Sequence, residues 1–305
     1  MIEFKGSKWY KCDLHLHTTA SECFADREVT PEQWVDRAIE QGLHCVAVTD
    51  HNTPLGIKEI QAAAKDKPLT IFPGVEITCD PSKVHLLILF DPTKGEDEIK
   101  SFLSKCDIEH TYYGKQDAST IKSVFEVTDI ATNKCNALVI PAHIDEFSRL
   151  YSLSHQNLET FFERPDINAV QVVHKAFYEN DVPADFHSQL VQYYGNTKST
   201  IDEVAWKKPV DLAKAKNISI LTFSDNPNKA GDSKHGLWGI GSRFTWIKMD
   251  EIPSLEGLRQ AFLLPEHRVI NDFDIQDNDP NNQPDIWFKS LKVTGTNLTT
   301  KQDLE

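Results

Sequence analysis

Short apolar, β-branched runs alternate along the chain with segments of helical periodicity, the rhythm of an α/β fold. Strands are predicted over residues 11–17 (KCDLHLH), 44–51 (HCVAVTDH), 70–78 (TIFPGVEIT) and 84–90 (VHLLILF), then over 136–143 (NALVIPAH), 167–174 (INAVQVVH), 218–225 (ISILTFSD) and 243–249 (RFTWIKM). Between the first two lies a well-signalled helix, with Thr30 as N-cap, Pro31 at the first helical position, Gln33 completing a capping box and Gly42 as the stop. Trp34, Val35, Ala38 and Ile39 give it one apolar face. Further helices are expected near residues 55–66, 96–105, 119–131, 156–163, 208–216 and 254–264. Seven or eight strands with crossover helices suggest a closed barrel. A doubly wound open sheet fits the same pattern, because periodicity does not report closure. From residue 273 the composition turns to Asp, Asn and Pro, so the barrel is expected over 1–272 and a linker with the start of a following domain over 273–305.

Polar residues of metal-ligand type fall at the C-terminal ends of these apolar runs: His15 and His17, Asp50 and His51, Glu76, His143, His174 and Asp225. In parallel α/β architectures those ends share one face, where loops carry the catalytic groups. Each placement has a plainer reading. Asp50 and Asp225 suit turns and helix starts, and the histidines and Glu76 suit satisfied core positions. Those readings must all hold at once if no site exists, whereas one metal centre accounts for the whole set.

Taken in order, DLHLHT at 13–18, VTDHN at 48–52, PGVEIT at 73–78, IPAH at 140–143 and FSD at 223–225 resemble the motifs of the PHP (polymerase and histidinol phosphatase) superfamily. The resemblance implies a distorted (β/α)7 TIM-like barrel, two or three divalent transition-metal ions (Mn²⁺, Zn²⁺ or Fe²⁺), and hydrolysis of phosphate esters by a metal-bridged hydroxide. Its ligands would be His15, His17, His51, Glu76, His143 and Asp225, with Asp50 orienting its neighbour. The chain departs from the family pattern at three places. Glu22 stands where Asp or His is usual after the first HxH. Pro227 replaces the His two positions after Asp225, which leaves His235 in the loop NPNKAGDSKHG as the candidate replacement. His85 resembles a His that some members use as ligand or substrate contact. His85 or His235 is also the candidate proton donor to the leaving group where it is not a ligand. Arg243 and Arg149 are candidate phosphate clamps, with surface solvation the plainer reading of each.

Residues 223–271 resemble, in addition, the closing part of PHP modules fused ahead of AAA or SMC-like ATPases. An ATPase domain or partner is therefore implied beyond the C-terminus, although no GxxxxGK[ST] occurs in this chain. The loop from Asn226 to Gly241, rich in Gly, is expected to be mobile and to reach over the metals.

Composition narrows the remaining classes. The 305 residues suffice to bury a core without staples, and no apolar run nears the roughly 20 residues of a membrane span. The start, MIEFKGSKWYKCD, lacks the apolar stretch of a secretory signal, so a cytoplasmic protein is expected. Six cysteines without a CxxC pair read as free thiols with no part in the chemistry. Net charge is 32 − 46 = −14, which disfavours a broad phosphate-tracking surface without excluding a local basic groove. The expected substrates are nucleotides or nucleic-acid (DNA) ends. A small-molecule phosphatase of the histidinol phosphate kind and a catalytically weak scaffold module are the alternatives.

Overall fold

In the computed structural model, which describes residues 6–147, 150–195, 201–274 and 279–282, the run KWYKCDLHL forms β1 (Lys8–Leu16) near the middle of the main sheet. It is followed by α1 (Pro31–Glu40), β2 (Cys45–Val48), α2 (Ile57–Ala64), β3 (Thr70–Cys79), β4 (Val84–Leu89), α3 (Glu96–Lys105), α4 (Val124–Asp129) and β5 (Leu138–Pro141). Next come α5 (His155–Phe162), β6 (Ala169–Gln171), α6 (Lys175–Glu179), α7 (Phe186–Tyr194), α8 (Glu203–Ala215) and β7 (Ser219–Leu221). The series ends with β8 (Thr245–Met249), α9 (Leu255–Phe262), α10 (Pro265–Arg268) and β9 (Val269–Asn271). Every predicted strand is present. α1 has its predicted capping box, with Thr30 and Gln33 exchanging hydrogen bonds.

The seven-stranded sheet runs β5-β4-β3-β2-β1-β8-β9, and β6 and β7 form a separate parallel pair. β1, β2 and β3 are parallel, whereas β4, β5, β8 and β9 join antiparallel. The sheet curls into a partial barrel whose two seams are stitched by a few bonds, many of them to side chains, rather than by strand ladders. On one side Ile144 N donates to Gln171 O (3.0 Å). On the other Thr222 N donates to Thr245 Oγ1 (2.8 Å). The distorted α/β barrel expected from sequence is thus observed, in an incompletely closed and mixed-direction form.

Alternation along β2 separates two apolar regions. Val46 and Val48 pack with Trp34 of α1, Phe102 of α3, Phe161 of α5 and Trp206 of α8. Cys45 and Ala47 pack with Leu14, Phe72, Ile140, Leu221 and Phe223, and with Leu258 and Phe262 of α9. The β1–β2 register shifts between Asp13 and Leu16, and there Thr49 Oγ1 accepts the Leu16 amide (3.0 Å). Such an irregularity re-aims a strand end, and the end re-aimed here carries His15 and His17.

Three expectations shift. The helix expected over 119–131 begins at Val124 and continues as a π-turn over Ile130–Lys134. The helix expected over 208–216 begins earlier, at Glu203, and carries Pro209 inside it. α6 and α7 were missed, since five and nine residues are too few to display a long period. The chain divides into a unit of residues 1–275 and a second of 276–305. Of the expected linker, Phe273 and Asp274 pack on the first unit through Tyr178, with Asp274 Oδ2 accepting from the Tyr178 hydroxyl at 2.5 Å. The rest of the 273–305 expectation falls outside the described residues apart from a turn at 279–282.

Candidate metal centre

The ends of β1, β2, β3 and β5 and the turn after β7 converge on a buried cluster of imidazoles and carboxylates. His15 and His17 are fully buried, with Nε2 atoms 3.3 Å apart. Asp225 Oδ1 lies 3.3 Å from His15 Nε2 and 3.0 Å from His17 Nε2, and Glu76 Oε2 lies 3.5 Å from each. Ligands about 2.1 Å from a tetrahedral ion stand about 3.4 Å from one another. The two imidazole nitrogens therefore have the spacing of a shared coordination shell with either carboxylate oxygen. Glu76 extends the cluster: Oε2 is 2.8 Å from His51 Nδ1, and Oε1 is 2.8 Å from His85 Nδ1 and 3.2 Å from His143 Nε2. His235 joins from the opposite side, its ring 4.0 Å from that of His17.

Hydrogen bonds at Nδ1 fix the direction of several lone pairs. The side-chain oxygen of Gln171 accepts from His15 Nδ1 (2.8 Å) and from the His143 amide (3.2 Å). Ser21 Oγ donates to Asp50 Oδ1 (2.6 Å), so it accepts from the His51 amide (3.1 Å) and from His17 Nδ1 (3.2 Å). The carbonyl of Asp225 accepts from His235 Nδ1 (2.9 Å). His15, His17 and His235 thereby hold a proton on Nδ1 and turn Nε2 toward the cluster, as metal-binding histidines do.

Electrostatics match that arrangement. Burial opposes charge on Glu76, but His51, His15 and His85 outweigh it and hold the carboxyl well below the usual carboxylate range. Asp225 is likewise held down against burial, by His15 and His235. Burial also opposes protonation of His15, yet Asp225 and Glu76 push its pKa up to about 9. His15 and His51 thus stand in as counter-charges to the two buried carboxylates, whereas burial and the neighbouring His235 and His51 hold His17 well below its usual value. His51 Nε2, Glu76 Oε2, Asp225 Oδ1 and His235 Nε2 are all buried without a hydrogen bond, a costly state that a divalent ion would relieve. Mixed imidazole and carboxylate donors fit Zn²⁺, Mn²⁺ or Fe²⁺.

Backbone conformation is also unusual here. His143 (φ +30°) and Asp225 (φ +51°) both lie at positive φ, a region that non-glycine residues seldom occupy.

Several sequence expectations change on the structure. Glu22 is exposed and stands outside the ligand groups; Cys23 beside it takes the inward direction. Asp50 is 1% exposed and fully occupied by Thr18 N (2.8 Å), Thr18 Oγ1 (2.7 Å) and Ser21 Oγ, so it holds the loop after β1 rather than meeting substrate. Arg243 reaches the cleft wall, but Asp272 pairs with its guanidinium in bidentate fashion (2.5 and 3.0 Å). Arg149 lies outside the described residues. His174 sits apart, stacked on Trp206. The Asn226–Gly241 loop is tucked rather than loose. Asn226 accepts the His17 amide (2.6 Å) and donates to the carbonyls of His17 and Gly236 (both 3.1 Å), and Gly239 packs so closely on Pro227 that a side chain would collide.

Sequence reasoning missed Ser21, Gln171 and Asn226 as supports. None stands out by type, and Gln171 looks like one more residue of a buried strand. Asp13 also ties distant segments together, accepting from Ser224 N (3.1 Å), Ser224 Oγ (2.5 Å) and Gly241 N (3.0 Å). Trp34 of α1 donates Nε1–H to His17 O (3.0 Å), so the best-signalled helix fixes the first metal motif.

The buried imidazole–carboxylate cluster at the rim of a curled α/β sheet has the donor set of a transition-metal centre. The family model for the PHP domain matches residues 13–219, and the chain belongs to that family. It is 40% identical over 86 residues to a 5'-3' exoribonuclease of Haemophilus influenzae, covering 27% of this chain and 30% of the enzyme. It is 31% identical over 120 residues to an error-prone DNA polymerase of Mycobacterium tuberculosis, covering 36% of this chain and 11% of the polymerase. The chain thus matches less than a third of the length of these relatives. Among solved structures, a lesion-specific endonuclease Q from Pyrococcus furiosus superposes with a TM-score of 0.55 at 16% identity, over 83% of this chain and 56% of the endonuclease. A two-domain protein containing a PHP-like domain from Bacteroides vulgatus superposes with a TM-score of 0.51 at 15% identity, over 90% and 68%. These likenesses bear on the fold. No helix among the described residues is long and apolar enough to cross a membrane.

Proposed function

We propose that this chain hydrolyses phosphate esters of nucleotides or nucleic-acid ends at a centre of two or three transition-metal ions held by His15, His17, His51, Glu76, His143, Asp225 and His235. The observation that carries the reading is the approach of Asp225 Oδ1 and Glu76 Oε2 to within 3.0–3.5 Å of both His15 Nε2 and His17 Nε2, with the two carboxylate oxygens buried and without a hydrogen bond. Bound ions would acidify a water and polarise the phosphoryl oxygens. The chain's own groups do the rest. Glu76, His143, Asp225 and His235 form the floor of a cleft of about 490 Å³, which is large enough for a nucleotide. His85, hydrogen-bonded to Glu76 and lining the cleft, would hand a proton to the leaving oxygen where it does not itself join Glu76 and His143 as a ligand.

Two features favour nucleic acid over a small metabolite. Tyr193 and Trp238 line the cleft and remain 52% and 51% exposed, offering flat apolar faces to unstacked bases. The exoribonuclease and endonuclease Q likenesses also come from proteins named for cutting nucleic acid.

The test is a substrate panel of p-nitrophenyl phosphate, histidinol phosphate, mononucleotides, and single-stranded or duplex RNA and DNA, with Mn²⁺, with Zn²⁺ and with chelator. Metal-dependent release of nucleotides from oligonucleotide ends is the expected result. Turnover confined to histidinol phosphate would move the assignment to a small-molecule phosphatase. Inactivity throughout, with metal bound, would leave a scaffold module.

A further inference from the structure

The group His17, His51 and His235 gathers three imidazoles close enough for one ion, and it contains no carboxylate. An ion held there by neutral donors alone would keep its full charge in a buried pocket, which is costly without an anion close by. The carboxylates that approach the group, Asp225 at His17 Nε2 (3.0 Å) and Glu76 at His51 Nδ1 (2.8 Å), also serve the neighbouring donors His15 and His143, and Glu22 faces solvent.

Its neighbour is placed differently. The segment Glu22–Ala25 is laced to both outer imidazoles through the backbone. His235 N donates to Cys23 O (3.1 Å) and Ala25 N donates to His235 O (2.8 Å), so the segment pairs with His235 like a short strand. On the other side Glu22 N donates to Gly114 O (2.8 Å), and Gly114 N donates to His51 O (2.9 Å). Cys23 is half-buried between these two ties, and its thiol interacts with the side chains of both His51 and His235.

His51 and His235 are 3% and 6% exposed, and the Nε2 atom of each lacks a well-formed hydrogen bond. A thiol that neighbours two buried, unpartnered ring nitrogens without bonding properly to either is what donors converging on a common ion look like once the ion is removed. We propose that Cys23 is a metal ligand of this centre, a thiolate that completes the ion site formed by His51 and His235. The proposal rests on the metal-centre reading above. Coordination deprotonates the thiol and so adds an anionic donor on the side where His51 and His235 turn their Nε2 atoms. A sulfur donor also makes the site softer, so it should prefer Zn²⁺ or Fe²⁺ to Mn²⁺ and reject Mg²⁺.

The test uses the full chain stripped of metal and titrated with Co²⁺ alone, read by absorption spectroscopy. The expected spectrum has visible d–d bands together with a near-ultraviolet sulfur-to-cobalt charge-transfer band. The latter should vanish in Cys23→Ser and persist in Glu22→Ala and in Cys135→Ser, which removes the other half-buried cysteine. Visible bands without a sulfur band, or a sulfur band that survives Cys23→Ser, would overturn the proposal and leave the metal centre standing. Absence of any cobalt signal would overturn both. Should Cys23→Ser fail to fold, iodoacetamide labelling of the wild-type chain decides, with Cys23 alkylation mapped by peptide mass. Saturating Zn²⁺ should abolish that alkylation, and labelling indifferent to Zn²⁺ would defeat the proposal.

Discussion

His17 Nε2 and Asp225 Oδ1 lie 3.0 Å apart, one at the end of the first strand and the other in the turn after the seventh. Neither residue is needed for the apolar regions on the two sides of the sheet. His17→Ala and Asp225→Ala should therefore bind less Mn²⁺ or Zn²⁺ by elemental analysis and lose phosphoesterase activity to background, with circular dichroism unchanged. Wild-type turnover in both variants would mean that the site is misplaced, and unfolding of both would make the ions structural.

Ser21 and Gln171 act through the imidazoles they orient. Ser21→Ala removes the acceptor for His17 Nδ1, and Gln171→Leu removes that for His15 Nδ1. Supports of this kind are typically worth about 10–100-fold in metal affinity. Competition with a chromophoric chelator should show a loss of that size for each variant. Affinities within about twofold of wild type would show that packing alone aims the rings.

Metal should stabilise the fold measurably, because ions bind a preformed cluster that the unfolded chain lacks. At a free concentration of 100 Kd the gain is about 2.7 kcal/mol, or roughly 4–5 °C in Tm for a chain of this size. Differential scanning fluorimetry of the stripped protein, with and without Zn²⁺ or Mn²⁺, reads this directly. Identical melts at saturating metal would contradict burial of the ions in the folded centre.

Trp238→Ala tests the substrate class. If its ring stacks on a base, the loss should be about 1–3 kcal/mol, or roughly 5- to 150-fold in kcat/KM on single-stranded RNA or DNA. Hydrolysis of p-nitrophenyl phosphate, which offers no base to stack, should change little. An equal loss on both substrates would show that the ring supports the loop instead.

The fold was legible because its strands are short apolar runs bounded by turn residues, and α1 states its own limits through Thr30, Gln33 and Gly42. The ligand candidates were legible for a related reason. A His or Asp at the end of an otherwise apolar run contrasts with its surroundings, as His17 and Asp225 do. Glu22 misled because position relative to HxH cannot tell which of two adjacent residues the loop turns inward. The loop's direction is set by backbone bonds to Gly114 and His235, both remote in sequence. Arg243 misled because its partner Asp272 belongs to the segment after β9, a strand of three residues that periodicity does not reveal. Asp50 was correctly placed beside the ligands, but whether a carboxylate faces substrate or its own loop depends on Thr18 and Ser21, whose side chains carry no pattern.

The left-handed backbone at His143 and Asp225 sets stability against chemistry at two sites. Glycine reaches such torsions without steric cost, whereas other residues can lose about 1–3 kcal/mol there. A mutant library selected for heat resistance in metal-free buffer should therefore enrich Gly at 143 and 225, yielding tougher proteins that have discarded donors. The same library selected for turnover should hold both positions and gain its tolerance elsewhere. Comparing the two outcomes would show which residues the chain keeps for its reaction and which for its architecture.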